Sequence, residues 1–400
     1  MKKLCLFTSE SVTEGHPDRL CDTVSDAILD RILRQDPYSR VVTECALSKN
    51  VLFIAARLAT LATVDLPEIA RNSISQINFR PEDFNAEECS VITSLIPMPN
   101  EHRAIGDEME MSDAELDTIT VRNQVTLFGY ACDHTPELMP LPIVLANRIS
   151  RNLASVRRQG IVTGLSPDCT TQVGVDFDGR KPQSIHSITL IAGAEDPEAG
   201  SRSHEEWKQL LMEQVVTPTL HESMVKTTKK TEIFVNPQGI YPKSGPASHS
   251  GMTGRKTASD SYGGYSRHSS SALSGKDPLR IDRSGAYAAR YAAKNVVASG
   301  LAQECEIQLS YSIGHAGPIS IRVNTFGTGK LADHEIESRL EKWFDFRLGA
   351  IIKTFRLRHL PTEHRGRFYG QLPTGGHFDH ATLVLPWEKT DDSARLSSMG

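Results

Sequence analysis

The chain has 400 residues, 39% of them hydrophobic and 23% charged, with a formal net charge of −5. That balance supports a packed core of roughly two to four domains and excludes a disordered chain. It also argues against a nucleic-acid binder that relies on a broad basic surface. No apolar run approaches the roughly 20 residues that span a bilayer. The start, Met1-Lys2-Lys3-Leu4-Cys5-Leu6-Phe7, is too short for a signal-peptide core of about 7–15 residues. A cytoplasmic protein with no nucleic-acid or membrane partner is expected. The seven cysteines are scattered, odd in number and without C-x-x-C, which points to isolated thiols.

Apolar residues at Leu20, Val24, Ile28 and Ile32 predict a helix over 18–34, closed by Pro37. Residues 41–47 and 51–58 predict a hairpin around Ser48-Lys49-Asn50, and a second helix runs from Pro67 to about 77. Residues 97–120 are acidic and aperiodic, a loop long enough to be a functional lid. A helix over 142–158 follows. Strands at 171–177 and 187–192 flank Asp178-Gly179. Then come a helix over 205–216 and a strand at 231–235. Residues 239–275 are crowded with Gly, Ser, Lys, Arg and His. Beyond them lie an Ala-rich helix from Asp282 or Ser284 to about Gly300, strands at 306–312 and 319–325, and a helix over 335–343. Strands arriving mostly in hairpins favour an α+β fold with helices on antiparallel or mixed sheets, and a hairpin–helix–strand unit recurs about three times.

Generic motifs are absent. Ser274-Gly275-Lys276 is followed by Asp277, so it is no Walker A loop. Gly245, Gly251 and Gly254 do not form a dinucleotide fingerprint, there is no H-E-x-x-H, and His377-x-x-His380 sits in a loop. Three polar clusters remain: residues 9–18, which bring His16 and Asp18 to a helix start; Gly254-Arg255-Lys256; and 274–277 with Arg280 and Asp282 just after. Arginine and lysine beside glycines can wrap a polyphosphate, and nearby aspartates can hold Mg²⁺ against its oxygens.

Residues 10–18 (ESVTEGHPD) resemble the N-terminal signature of the methionine adenosyltransferase (S-adenosylmethionine synthetase) family. Residues 251–256 (GMTGRK), 260–264 (DSYGG), 274–278 (SGKDP) and 282–295 (DRSGAYAARYAAKN) resemble its later motifs, as do 127–131, 234–237 and 386–390. The resemblance implies three α/β subdomains around a pseudo-threefold axis, here 1–105, 106–232 with a gating loop, and 233–400. It also implies active sites shared between paired chains, a homodimer or larger, or a heterodimer with a relative. The implied reaction moves the 5′-adenosyl group of ATP, or the nucleosyl group of another nucleoside triphosphate, to a small amino-acid-like acceptor. Triphosphate is released.

Carried over by resemblance, His16, Lys276 and Arg255 are catalytic. The triphosphate and nucleoside would meet His16, Arg255, Lys256, Lys276 and Asp277, with Asp168 near the ribose and Tyr241 on the base. Asp18 and Asp282 would hold two Mg²⁺ and Glu44 a K⁺. The acceptor side departs from the family. Arg57 stands where the family has an ammonium-binding glutamate, Asn123 and His249 where it has aspartates, Thr170 and Arg280 where it has lysines. Ser269-Ser270-Ser271 replaces three glycines, and residues 101–111 lack the gating-loop glutamine. These changes predict an acceptor other than ordinary methionine. A plain S-adenosylmethionine synthetase that tolerates these changes, a non-catalytic partner of a true family member, and a triphosphate or nucleoside-triphosphate hydrolase are the alternatives.

Overall fold

The computed structural model describes residues 4–397 apart from 104–105, 195–201, 222, 240 and 242; 104–105 belong to the expected gating loop. Eleven strands are described: β1 (Cys5–Val12), β2 (Arg40–Ser48), β3 (Val51–Ala59), β4 (Ser90–Pro97), β5 (Val125–Cys132), β6 (Leu165–Asp178), β7 (Lys181–Ala194), β8 (Thr227–Val235), β9 (Gly251–Met252), β10 (Glu304–Tyr311) and β11 (Ser320–Asn324). They form three sheets, ordered β1-β6-β7-β8, β11-β10-β5 and β4-β3-β2-β9. The longer helices are α1 (Pro17–Gln35), α2 (Leu66–Ser75), α3 (Leu141–Arg158), α4 (His204–Leu211), α5 (Ile281–Ala298), α6 (Asp333–Trp343) and α7 (Leu348–Phe355). One long helix covers each sheet: α3 the first, α5 the second and α1 the third. This is the α+β, three-unit architecture that the sequence predicts.

The sheets do not follow the linear order of the chain. β1 pairs antiparallel with β6, β5 with β10, and β9 with β2, so each sheet contains a strand from a distant stretch. Four strands were not foreseen. β4 pairs parallel with β3 across the α2 connection, and β1, β5 and the two-residue β9 lie in stretches read only as motifs. The hairpin of β6 and β7 is longer than expected, with fourteen residues in each strand.

The sheet under α1 has one covered face. Leu52, Ile54 and Ala56 of β3 are buried, while Val51, Phe53 and Arg57 point the other way. Phe53 pairs with Ile92 and Arg57 with Ile96, so exposed apolar groups form rows across β3 and β4.

Helix α1 starts where His16 accepts a hydrogen bond from the Asp18 backbone through Nδ1, with Pro17 in the first turn. Four aspartates repeat along it at four-residue spacing, all nearly inaccessible to solvent: Asp18, Asp22, Asp26 and Asp30. Each accepts backbone N–H groups from a remote segment. Met252 donates to Asp18 at 2.9 Å, Gly254 to Asp22 at 2.8 Å, and Gly275 to Asp26 at 2.7 Å. Tyr369 and Gly370 both donate to Asp30 at 2.9 Å. Two glycines permit this approach. A Cβ on Gly251 would fall 2.1 Å from the Pro17 carbonyl carbon, and Gly275 has φ +76 with Thr43 O at 2.0 Å from its Cβ position.

Asp26 also holds Arg283 in a two-pronged contact, 2.8 Å at each prong, and Arg283 in turn donates to the Lys276 carbonyl at 3.1 Å. Both side chains are buried. Asp26→Ala strands a buried guanidinium, so we expect a loss of about 3–5 kcal/mol in denaturant unfolding. Replacement of a freely solvated aspartate would cost far less.

Candidate active site

His16, Asp18, Asp168, His249 and Lys256 converge where the start of α1, the start of β6 and the glycine-rich segment meet. Gly15 fixes the first two together: its N–H donates to the Pro167 carbonyl at 3.0 Å, and a Cβ there would sit 2.5 Å from Pro167. Asp168 Oδ2 accepts the Gly245 N–H at 2.7 Å and lies 2.8 Å from His249 Nε2. The His249 and His16 rings meet edge to face, centroids 4.9 Å apart. Lys256 Nζ lies 2.5 Å from Asp18 Oδ2, and the half-exposed Arg255 approaches Asp18 at 3.7 Å.

Burial pushes the His16 imidazole down to about 4, so it is neutral at pH 7. Its Nδ1 accepts the Asp18 N–H, which puts the ring proton on Nε2. His16 is therefore an uncharged donor. His249 goes the other way. Its hydrogen bond to Asp168 outweighs burial and raises its pKa, favouring the imidazolium. Ligating atoms of His16, Asp168 and His249 lie within 4.8 Å of one another. His16 has no free lone pair in this arrangement, however, so the trio suits an anion better than a transition metal. For Asp18, burial acts to raise the pKa, but the hydrogen bonds from Lys256 and Met252 win and it is lowered.

A second group stands at the start of α5. Asn123 donates one hydrogen bond of 2.9 Å to each oxygen of Asp282, with Lys276 at 3.4 Å and Arg280 at 3.8 Å. Ser271 also bonds this carboxylate. Burial lowers the Lys276 pKa; for Asp282 burial acts upward, but Lys276 and Asn123 outweigh it, so its pKa falls. Lys276 runs beside β2, bridged to Val42, and its ammonium feels Glu44 on the exposed face of that strand.

Other expected residues lie apart. Asp277 is fully buried and accepts from Val41 N at 2.7 Å, Leu279 N at 2.8 Å and Arg40 at 3.2 Å. It ties the Lys276 loop to β2 and has little left for a phosphate. Arg57 is on the uncovered face of β3, opposite Val42, and has no ion-pair partner among the described residues. Tyr241 bridges Gly193, and Thr170 pairs with Val12. The backbone donors Gly245 and Met252 were missed, since a hydrogen-bonding N–H leaves no trace in residue type.

Three family models match successive parts of the chain. The N-terminal domain of S-adenosylmethionine synthetase matches residues 4–98, its central domain 118–241 and its C-terminal domain 243–389. The chain belongs to the S-adenosylmethionine synthetase family. It is 44% identical to an S-adenosylmethionine synthase of Gloeothece citriformis over 99% of this chain and 97% of that protein. It is 45% identical to one from Thermosynechococcus vestitus, over 98% of this chain and 97% of the relative. Adenosyl-transfer synthetase function is thus supported at the level of the family. No helix among the described residues is long and apolar enough to cross a membrane.

The two histidines of the pocket should titrate apart. Ring NMR is expected to show one group staying neutral down to about pH 4 (His16) and one charging above the ordinary imidazole value of about 6.5 (His249). Asp168→Asn removes the partner that favours the imidazolium, so the His249 titration should move to lower pH. An unmoved titration would break the assignment.

Proposed function

We propose that this chain binds a magnesium nucleoside triphosphate at these two groups, transfers its 5′-nucleosyl group to an acceptor other than ordinary methionine, and releases triphosphate. The observation that carries the reading is the convergence of the neutral donor His16 with Asp18 and Lys256 at one loop crossing. In the reaction the acceptor atom attacks C5′, the C5′–O5′ bond breaks, and the electron pair stays with the triphosphate. His16 Nε2–H donates to the oxygen on which charge develops. Arg255, Lys256 and Lys276 take the remaining phosphate oxygens. Stabilisation of the leaving polyanion is the main demand of such a displacement.

Asp18 and Asp282 fit Mg²⁺. Both are buried, held in the charged form and present hard oxygen atoms, and each now faces a lysine ammonium. Bound there, Mg²⁺ would neutralise the triphosphate. Glu44 is the carboxylate available for K⁺. Tyr241 is the ring for the base and Asp168 the acceptor for the ribose.

The acceptor side motivates the narrower reading. Arg57 puts positive charge where family members have an acid, His249 with its raised pKa and the uncharged Asn123 replace aspartates, and Arg280 replaces a lysine. An arginine about 4 Å from a substrate ammonium costs of order 4 kcal/mol at an effective dielectric near 20. An acceptor with an additional carboxylate, or without a free ammonium, relieves that repulsion. The uncovered rows through Phe53, Ile92 and Ile96 suit burial against a second copy, which makes a homodimer the expected unit.

Calorimetry should detect Mg-triphosphate binding, and Lys256→Ala should weaken it by about 1.5–3 kcal/mol. Turnover of methionine with ATP should be weak or absent, and an acceptor panel should find a better substrate. A catalytic efficiency with methionine near 10⁴ M⁻¹s⁻¹, ordinary for enzymes, would overturn the acceptor reading and leave the family activity standing. No triphosphate binding at millimolar ligand would overturn both. Light scattering at micromolar protein should give at least twice the 44.1 kDa chain mass.

A further inference from the structure

A cavity of about 960 Å³ opens along the flank of α1, lined also by α2, α3 and the segment after Gly366. None of His16, Asp18, Asp168, His249 or Lys256 lines it. Its volume is that of a small-molecule site. Four arginines reach it: Arg31 from α1, Arg151 and Arg158 from α3, and Arg367 from the C-terminal segment. In a chain of net charge −5 this is a local excess of cations.

The acids of the cavity do not balance them. Glu14 is already shared between Arg157 at 2.9 Å and Arg158 at 2.5 Å. Asp30 spends both oxygens on the Tyr369 and Gly370 N–H groups, and burial raises its pKa to about 7, which halves its charge near neutral pH. Arg151 has Asp379 only at 3.8 Å, and burial disfavours its charge further. Among the described residues the exposed guanidinium groups of Arg31 and Arg367 have no ion-pair partner.

A single carboxylate is satisfied by one guanidinium fork. Arginines arriving from three separate elements can instead meet a multiply charged tetrahedral anion from several directions. We propose that this cavity binds a small phosphate-bearing molecule, held chiefly by Arg31 and Arg367, as a site separate from the catalytic pocket. The proposal does not depend on the acceptor or reaction proposed above. Arg158 connects the site to the catalytic end, because its partner Glu14 lies two residues before His16.

Calorimetric titration of the full chain with inorganic pyrophosphate tests it. Two binding events per chain are expected. Arg255→Ala with Lys256→Ala should weaken one at least tenfold and spare the other. Arg31→Ala with Arg367→Ala should do the reverse, with thermal unfolding unchanged because both side chains are exposed. A single event lost with Lys256, or a second event that survives the Arg31/Arg367 change, overturns the site. Citrate binding the cavity as tightly as pyrophosphate overturns the phosphate assignment.

Discussion

The column of aspartates on α1 is the constraint on which the rest of the molecule hangs. A buried carboxylate is costly unless its lone pairs are used. Here the backbone uses them: Asp18, Asp22 and Asp26 together take up Met252, Gly254 and Gly275 of the glycine-rich stretch, and Asp30 takes the C-terminal segment. The glycine-rich stretch, with few apolar residues of its own, is positioned largely by these hydrogen bonds, whereas the C-terminal segment also packs Phe368, Tyr369 and Leu372 into the core. Arg19, between Asp22 and Asp260, and Arg283, on Asp26, offset the accumulated negative charge. The same helix that anchors the loops presents His16 and Asp18 at its N-terminus, so the proposed catalytic groups and the glycine-rich loops share one rigid reference.

Within the pocket, charges of opposite sign neutralise one another before any ligand arrives. Lys256 sits on Asp18 and Lys276 on Asp282. In the proposed function a ligand replaces both partners, offering anionic oxygens to the lysines and a cation to the aspartates. A nucleotide polyphosphate carrying its metal would do this, whereas a neutral nucleoside or a single phosphate would do half of it. On that reading the ion pairs act as a filter for charge density. His16 adds direction, since a neutral Nε2–H donor favours an oxygen that gains charge without fixing a permanent ion pair.

Much of this was readable in the residues. The apolar stripe Leu20, Val24, Ile28, Ile32 gave α1, and the hairpins of β2–β3 and β6–β7 followed from alternation and turn residues. The motifs around His16, Lys256 and Asp282 marked the two polar groups that the fold assembles. β4 was missed because it is exposed along most of its length and carries no in–out alternation. β5 was missed because its partner lies some 180 residues away by register, Leu127 against Leu309, and local pattern says nothing of such pairing. Asp277 sits inside a phosphate-like motif, but its carboxylate turns into the backbone, a choice made by loop geometry. The aspartate column was in plain view as a four-residue repeat inside a helix; a search for chemistry at helix ends passes over it.

The exchange of strands among the three sheets has a consequence for how the molecule comes into being. β1 is made first, yet its partner begins at Leu165, and β5 waits for Glu304. On the ribosome the opening strand therefore remains an unpaired edge while more than a third of the chain is still to be threaded out. Each sheet waits for one strand from a distant stretch before it is complete. Native contacts are dominated by distant pairs, which slows folding and lengthens the exposure of Phe7 and Val12 to neighbouring chains. The interlocking that leaves the finished protein without separable pieces makes its nascent form depend on shelter until the last sheet is complete.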